Sequence, residues 1–262
     1  MKKNQFRRLK WLHRFVARLL FLPFIASDYV KYRSLFRRSP VKRFPLAVAN
    51  TFPFIFDKTP TTGFDRHYIY HTAWAARAVR QINPPQHVDI SSSLYFSSIV
   101  SAFVPVKFYD YRPPALSLSN HTSAPADLHA LPFSSGSIDS LSCMHTIEHV
   151  GLGRYGDRLD PDGDLKAVNE LKRVLAVNGH LLFVVPIGRP LLRFNAMRIY
   201  SYDQIMAMFP DLVLREFSLI HEFEEDGGIT ANATKAMADA EEYGCGCFWF
   251  VKPNGAKTTT NR

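Results

Sequence analysis

The sequence contains no apolar run of 18 residues, so it offers no candidate for a membrane-spanning helix. It has three cysteines, Cys143, Cys245 and Cys247, and a single glycine separates the last two. So few, so spaced, they exclude a disulfide framework and suit a reducing compartment. There is no internal repeat. Acidic residues are nearly missing from the N-terminal stretch: residues 1–43 hold 13 Lys/Arg against the one acid Asp28. The remainder holds 19 Lys/Arg against 22 Asp/Glu, so the overall net charge of +9 belongs to a basic arm on a nearly neutral body. That asymmetry points to an anionic surface as partner. At 262 residues, 47% hydrophobic and 21% charged, the chain has the composition of one large globular domain with an appendage.

Within the arm, Leu9, Leu12, Val16 and Leu19 form one stripe at helical spacing, widened by Phe15 and Leu20. Arg7, Lys10, Arg14 and Arg18 lie largely opposite. This basic amphipathic helix runs into the apolar segment 19–26, where Pro23 is expected to kink or end it, and it suits the interface of an anionic membrane. Arg14 and Arg18 interrupt the apolar stretch and Phe24 stands where a cleavage site wants a small residue, which argues against a signal peptide. Trp11 and Phe6 favour a membrane over nucleic acid. The expected organisation is an arm over 1–60, a domain over 61–252 and a frayed tail over 253–262, with the protein cytoplasmic and peripherally attached to the inner membrane face.

From about residue 64, short apolar runs alternate with helical stretches, the pattern of βαβ units and a mostly parallel sheet, so the fold class is α/β. Expected strands cover 87–90, 106–109, a short segment within 117–125, 138–144, 180–185, 212–220 and 247–251. Expected helices cover 73–82, 95–103, 165–177 and a segment from Ser201 through Phe209. Asn178-Gly179 is read as the left-handed stop of the third. In an open parallel sheet the ligand lies beyond the carboxyl ends of the strands, which singles out Asp89, Asp110, Asp127 and the segment from His145.

Three stretches carry a family resemblance: Asp127-Leu128-His129-Ala130-Leu131-Pro132-Phe133, then Glu148-His149-Val150-Gly151-Leu152-Gly153-Arg154-Tyr155-Gly156-Asp157, then Glu170-Leu171-Lys172-Arg173-Val174-Leu175. On these the chain resembles the class I S-adenosylmethionine-dependent methyltransferases, and specifically the methyltransferase-like family catalogued as domain of unknown function 268. The resemblance implies a Rossmann-like, seven-stranded methyltransferase sheet with helices on both faces. It implies S-adenosylmethionine as cofactor, with Asp89 and the loop after it (Ser91, Ser93) at the methionine moiety, Asp110 at the ribose, and Asp127 with Leu128 at the adenine. Relatives of this kind suggest a glycan, cell-surface precursor or small molecule as methyl acceptor.

The chain departs from the family at the glycine loop. Where such enzymes carry Asp-x-Gly-x-Gly-x-Gly, it reads Asp89-Ile90-Ser91-Ser92-Ser93-Leu94-Tyr95. Serine hydroxyls there can bond the cofactor carboxylate, but they lack glycine's access to positive φ. This leaves a catalytically silent, methyltransferase-like binding module at the membrane as the alternative function.

His145, Glu148 and His149 form an H-x-x-E-H string, which is also an inverzincin signature, but Gly151 and Gly153 leave little room for the helix a zincin needs. The string is also similar to the E-x-x-E-H of some metal-dependent O-methyltransferases. That suggests a divalent metal on Glu148 and His149 as one reading, with a turn and a packed ring as the bland one. His145 is the candidate base for an acceptor hydroxyl, since imidazole titrates near neutrality. Arg154, Tyr155 and Asp157 are candidate substrate contacts on a glycine-rich loop, with a rigid, salt-bridged loop as the alternative. Asp160 to Asp164 is too short for an EF-hand loop and reads as a turn capping the next helix.

Overall fold

The structure, a computed structural model, describes residues 23–52 and 57–255. The chain divides into two compact units, Met1–Phe64 and Asp65–Arg262.

In the first unit, residues 23–38 form a helix (α1), followed by a 3₁₀ turn at Val48–Asn50. The expected amphipathic segment over 7–20 lies outside the described residues. Among the described residues helical structure runs from Pro23 to Arg38, and the expected effect of Pro23 on the segment before it lies outside them. No helix among the described residues is long and apolar enough to cross a membrane.

The second unit is built on one eight-stranded sheet in the order β3-β2-β1-β4-β5-β10-β8-β9. Its strands are β1 (His87–Ile90), β2 (Val106–Asp110), β3 (His121–Pro125), β4 (Ile138–Met144), β5 (Leu175–Ile187), β8 (Val213–Ile220), β9 (Ile229–Thr230) and β10 (Gly244–Val251). Strands β1 to β5 run parallel, and β10 runs antiparallel between β5 and β8. A separate hairpin pairs β6 (Leu191–Arg193) with β7 (Met197–Ile199). The sheet thus exceeds the expected seven strands by β9, two residues long, too short to show as a period-2 pattern.

Alternation along the central strands separates two cores. Leu182 and Val184 of β5, with Cys245, Cys247 and Trp249 of β10, face α2 (Arg66–Ile82) and α3 (Leu94–Val100). Leu181, Phe183, Val185, Phe248 and Phe250 face α4 (Gly163–Val174), α5 (Tyr202–Met208) and α6 (Lys235–Ala240) on the other side. Helix α4 buries Ala167, Val168, Leu171 and Val174, and truncating the fully buried Leu171 to alanine is worth about 2–5 kcal/mol.

Helix α4 ends at Val174, three residues before the expected stop. Leu175 turns extended to pair with Ile138, and the N–H groups of Gly136 and Ser137 take the carbonyls of Arg173 and Val174 that a further helical turn would have used. Asn178 does adopt the left-handed region, at φ 61°, but inside β5 and not as a helix cap. Asp160 forms the expected turn by accepting from the N–H of Asp162, while Asp162, the residue preceding α4, makes no side-chain cap.

Candidate functional site

The chain leaves β1 toward β2 and β3 on one side and enters β4 and β5 on the other, so strand order reverses between β1 and β4. A crevice at such a reversal is where open α/β sheets bind ligands. A cavity of about 310 Å³ lies there, lined among others by Ser91, Asp110, Asp127, Leu128, His145 and Tyr155. A hollow of about 530 Å³ beside the β6–β7 hairpin is larger, but it lies away from these strand ends and is walled mainly by apolar side chains.

Asp110 closes β2 and accepts the N–H of Arg112 at 2.7 Å, fixing the carboxylate at the cavity edge. Asp127 accepts the N–H of His129 at 2.8 Å in the same manner. The segment from Asp127 to Phe133 is held from below by α4. Glu170 accepts the N–H of Leu131 at 2.8 Å, and Arg173, paired with Glu170 through two parallel bonds, donates to the carbonyls of Leu131 and Phe133. Two of the motifs that carry the resemblance are thus one device: the Glu-Leu-Lys-Arg stretch pins the loop that presents Asp127 and Leu128.

Ser91 occupies the first glycine place of the loop and takes a left-handed φ of 56°, so the family's backbone conformation is kept at some strain without glycine. Its N–H bonds the Tyr109 carbonyl at 2.7 Å. Ser93 precedes α3, makes no side-chain cap and does not line the cavity. Asp89, the third residue of β1, is fully buried, accepts from the Ser142 hydroxyl of β4 and is not among the residues that line the cavity. Burial pushes its carboxyl up to about 7.

On the β4 side, His145 follows the strand with φ 53°. Its Nδ1 lies 2.9 Å from Glu148 Oε1 and its Nε2 3.4 Å from Cys245 Sγ. The rings of His67 and Tyr68 stack near it at 5.5 and 5.3 Å between centroids, and His71 meets it edge-on at 5.0 Å. Burial pushes the imidazoles of His67 and His145 down to about 4, and the Glu148 carboxyl up to about 7. The pair is therefore a neutral imidazole against a carboxyl group near its midpoint at neutral pH. Residues 147–149 form only a 3₁₀ turn, which bears out the argument against a zincin helix. The carboxyl of Glu148 faces His145, and His149 Nδ1 bonds the Ala196 carbonyl at 2.6 Å.

The glycine-rich loop is internally braced. Asp157 accepts the N–H groups of Gly151 at 2.8 Å, Tyr155 at 3.2 Å and Gly153 at 3.3 Å. Burial works against its ionisation, but these donors outweigh it and hold the carboxyl below the usual range. Gly151 is at φ 79°, and a Cβ there would stand 2.0 Å from the Asp160 carbonyl oxygen, so no other residue fits. Tyr155 and Asp157 line the cavity, whereas Arg154 does not; its guanidinium stacks on Tyr155 and donates to Ala196. Arg112 covers the same tyrosine ring at 4.9 Å. Sequence reasoning missed His67, His71, Arg112 and Cys245. The His67/His71 spacing on α2 was a signal available to it; the register of β10 was not.

The sheet order, with its antiparallel β10 beside β5, and the strand-end cavity define a Rossmann-like α/β fold. Residues 131–242 match the family model described as "Caenorhabditis protein of unknown function, DUF268". Solved structures share the fold. The N-methyltransferase NodS of Bradyrhizobium japonicum, in complex with S-adenosyl-L-homocysteine, is 15% identical over 79% of this chain and 94% of its own, with a TM-score of 0.50. A candidate sarcosine dimethylglycine methyltransferase of Galdieria sulphuraria is 12% identical over 71% and 86%, with a TM-score of 0.51. No curated protein matches the chain.

Proposed function

We propose that this protein is an S-adenosylmethionine-dependent methyltransferase acting on a hydroxyl of a glycan, cell-surface precursor or small molecule at the cytoplasmic membrane face. The observation that carries the reading is the cavity at the β1/β4 reversal, with a half-buried carboxylate at one strand end and a second carboxylate on the pinned loop beside it. In this reading Asp110 accepts the ribose hydroxyls, Leu128 and Asp127 flank the adenine, and Ser91 meets the methionine end. The cofactor supplies the electrophilic methyl group. The protein's task is to hold the acceptor oxygen in line with that methyl and to receive its proton, and His145, unprotonated at neutral pH, stands where it can do so. Glu148 orients the imidazole, and Tyr155 and Asp157 are the acceptor-side contacts that remain on the cavity wall.

The membrane part of the proposal rests on the basic arm and on α1, where Val30, Tyr32 and Leu35 are exposed beside Lys31, Arg33, Arg37 and Arg38. Sedimentation of the full chain with anionic but not neutral vesicles tests it, and equal sedimentation with both would remove it. The second reading, a silent binding module, is favoured by Ser91 and Ser93, whose side chains stand where glycine would leave room. Calorimetric titration of the full chain with S-adenosylhomocysteine separates the two. Saturable heat with a raised melting temperature is the outcome for an enzyme; neither signal at saturating ligand means the silent module.

A further inference from the structure

The His145 side of the crevice contains a cluster of which the methyl-transfer reading uses only His145. His67, in the first turn of α2, His145, after β4, and Cys245, second residue of β10, each bring one donor atom to within 4.8 Å of the others. Topology makes the meeting possible. Because β10 runs antiparallel to β5, its first residues lie at the carboxyl end of the parallel strands, and Cys245 arrives beside His145. The N-cap of Asp65 on Tyr68 starts α2 at the same place.

We infer that His67, His145 and Cys245 bind a divalent transition-metal ion of the zinc class. Two imidazoles and a thiolate are a borderline-soft donor set, and three protein ligands with an open fourth place are the pattern of a reactive rather than a structural zinc. Bonds of about 2.0 Å to nitrogen and about 2.3 Å to sulfur set ligand edges of about 3.5 Å. The 3.4 Å between His145 Nε2 and Cys245 Sγ meets that, and the His67 donor, within 4.8 Å of both, has at most about 1.3 Å left to close.

The surroundings are those of ligands oriented from behind. His145 directs its other nitrogen at the Glu148 carboxyl, 2.9 Å away with a side chain 2% exposed, and His67 donates to the Tyr243 backbone carbonyl. Two polar atoms beside the cluster have no partner: Nε2 of His71, on a fully buried ring edge-on to His145, and Oε2 of Glu148. Buried polar atoms are rarely left bare, and an ion with its water would serve both. Burial raises the Cys245 thiol well above its ordinary range, which argues against a free nucleophile there, while a bound cation reverses that effect. On binding, the ion forms one bond to sulfur and two to neutral imidazoles, and the thiol proton goes to solvent. This set differs from Glu148 with His149, the pair the sequence suggested: Glu148 acts from behind His145, and His149 is engaged by Ala196.

The test needs no cofactor and no acceptor, so its failure would leave methyl transfer untouched. The purified full chain is stripped with chelator and titrated with Co²⁺, then with competing Zn²⁺. The inference requires a thiolate-to-cobalt charge-transfer band saturating at one ion per chain, bleached by Zn²⁺. Cys245→Ser should abolish the band, His67→Asn should weaken Co²⁺ binding at least tenfold, and Cys247→Ser should leave both unchanged. Absence of the band, or a band that survives Cys245→Ser, overturns the inference. If circular dichroism shows that Cys245→Ser does not fold, His67→Asn alone decides, and unchanged Co²⁺ affinity in it is equally fatal.

Discussion

On one side of His145 the strand-end crevice is walled by Asp110 and Asp127, carboxylates within reach of water and fixed by neighbouring backbone N–H groups. On the other side His67, His71, Glu148 and Cys245 are buried, and burial has driven the histidines and the glutamate toward their neutral forms. The open side suits the permanent hydroxyls of a ligand, since carboxylate oxygens accept hydrogen bonds from them. The closed side suits proton movement or metal binding, because its imidazoles are neutral and Glu148 changes charge near neutral pH. Both lie at the carboxyl ends of the parallel strands, on either side of β1, so one end of the sheet offers two chemistries that differ in solvent access.

Breaking the closed side should have the largest effect. His145→Ala is expected to lower turnover on the order of 10²-fold or more while leaving affinity for S-adenosylhomocysteine nearly unchanged, as read by steady-state kinetics and calorimetry. If affinity falls as far as turnover, the two sides are not separate. Breaking the open side should be next. Asp110→Ala removes charged acceptors for the ribose diol and should weaken S-adenosylhomocysteine by about 10–100-fold, from about 1.5–3 kcal/mol of charge-assisted bonding. Melting temperature without ligand should hardly move, because the carboxylate is only half-buried.

Stability against pH sharpens the comparison further. Burial lowers His67 to about 4, and His71 and His87 to about 3, from an ordinary 6.5. Between those values the unfolded chain binds more protons than the folded one, so stability is full above 6.5 and falls as pH drops toward 4, by at most about 1.4 kcal/mol per pH unit for each histidine. Asp89, raised by burial to about 7 from 3.8, has the opposite sign: its contribution is present at acid pH and lost as pH rises through 7. Glu148, raised by burial from 4.5 to about 7, acts in the same direction, so urea unfolding should show stability rising from about pH 4 to a maximum near 6.5, falling slightly toward 7 and levelling off above it. A curve still rising between 6.5 and 7 would mean that Asp89 and Glu148 are not buried as described. The smallest effect is at the loop between the sides. Ser91→Gly relieves a left-handed serine and should raise stability by about 1 kcal/mol or less, with S-adenosylhomocysteine affinity retained.

The sequence determined the elements whose signals are local. Alternation and run length placed β1 and β4 at their observed ends, Ser201 with Gln204 formed the capping box that opens α5, and strand-end acids marked Asp110 and Asp127. The three unpaired cysteines likewise agree with the expectation from their count and spacing. Where a choice depended on a distant partner, the sequence was silent or misleading. Leu175 reads as helix by periodicity but becomes strand because Ile138 offers it a pairing edge, and the burial of Asp89 against Ser142 of the neighbouring strand could not be read from its place near a strand end. The buried side of the site was beyond local reading altogether. His67, His145 and Cys245 are joined only by the antiparallel insertion of β10 beside β5, and the burial that sets their protonation is a property of packing, which no local pattern encodes.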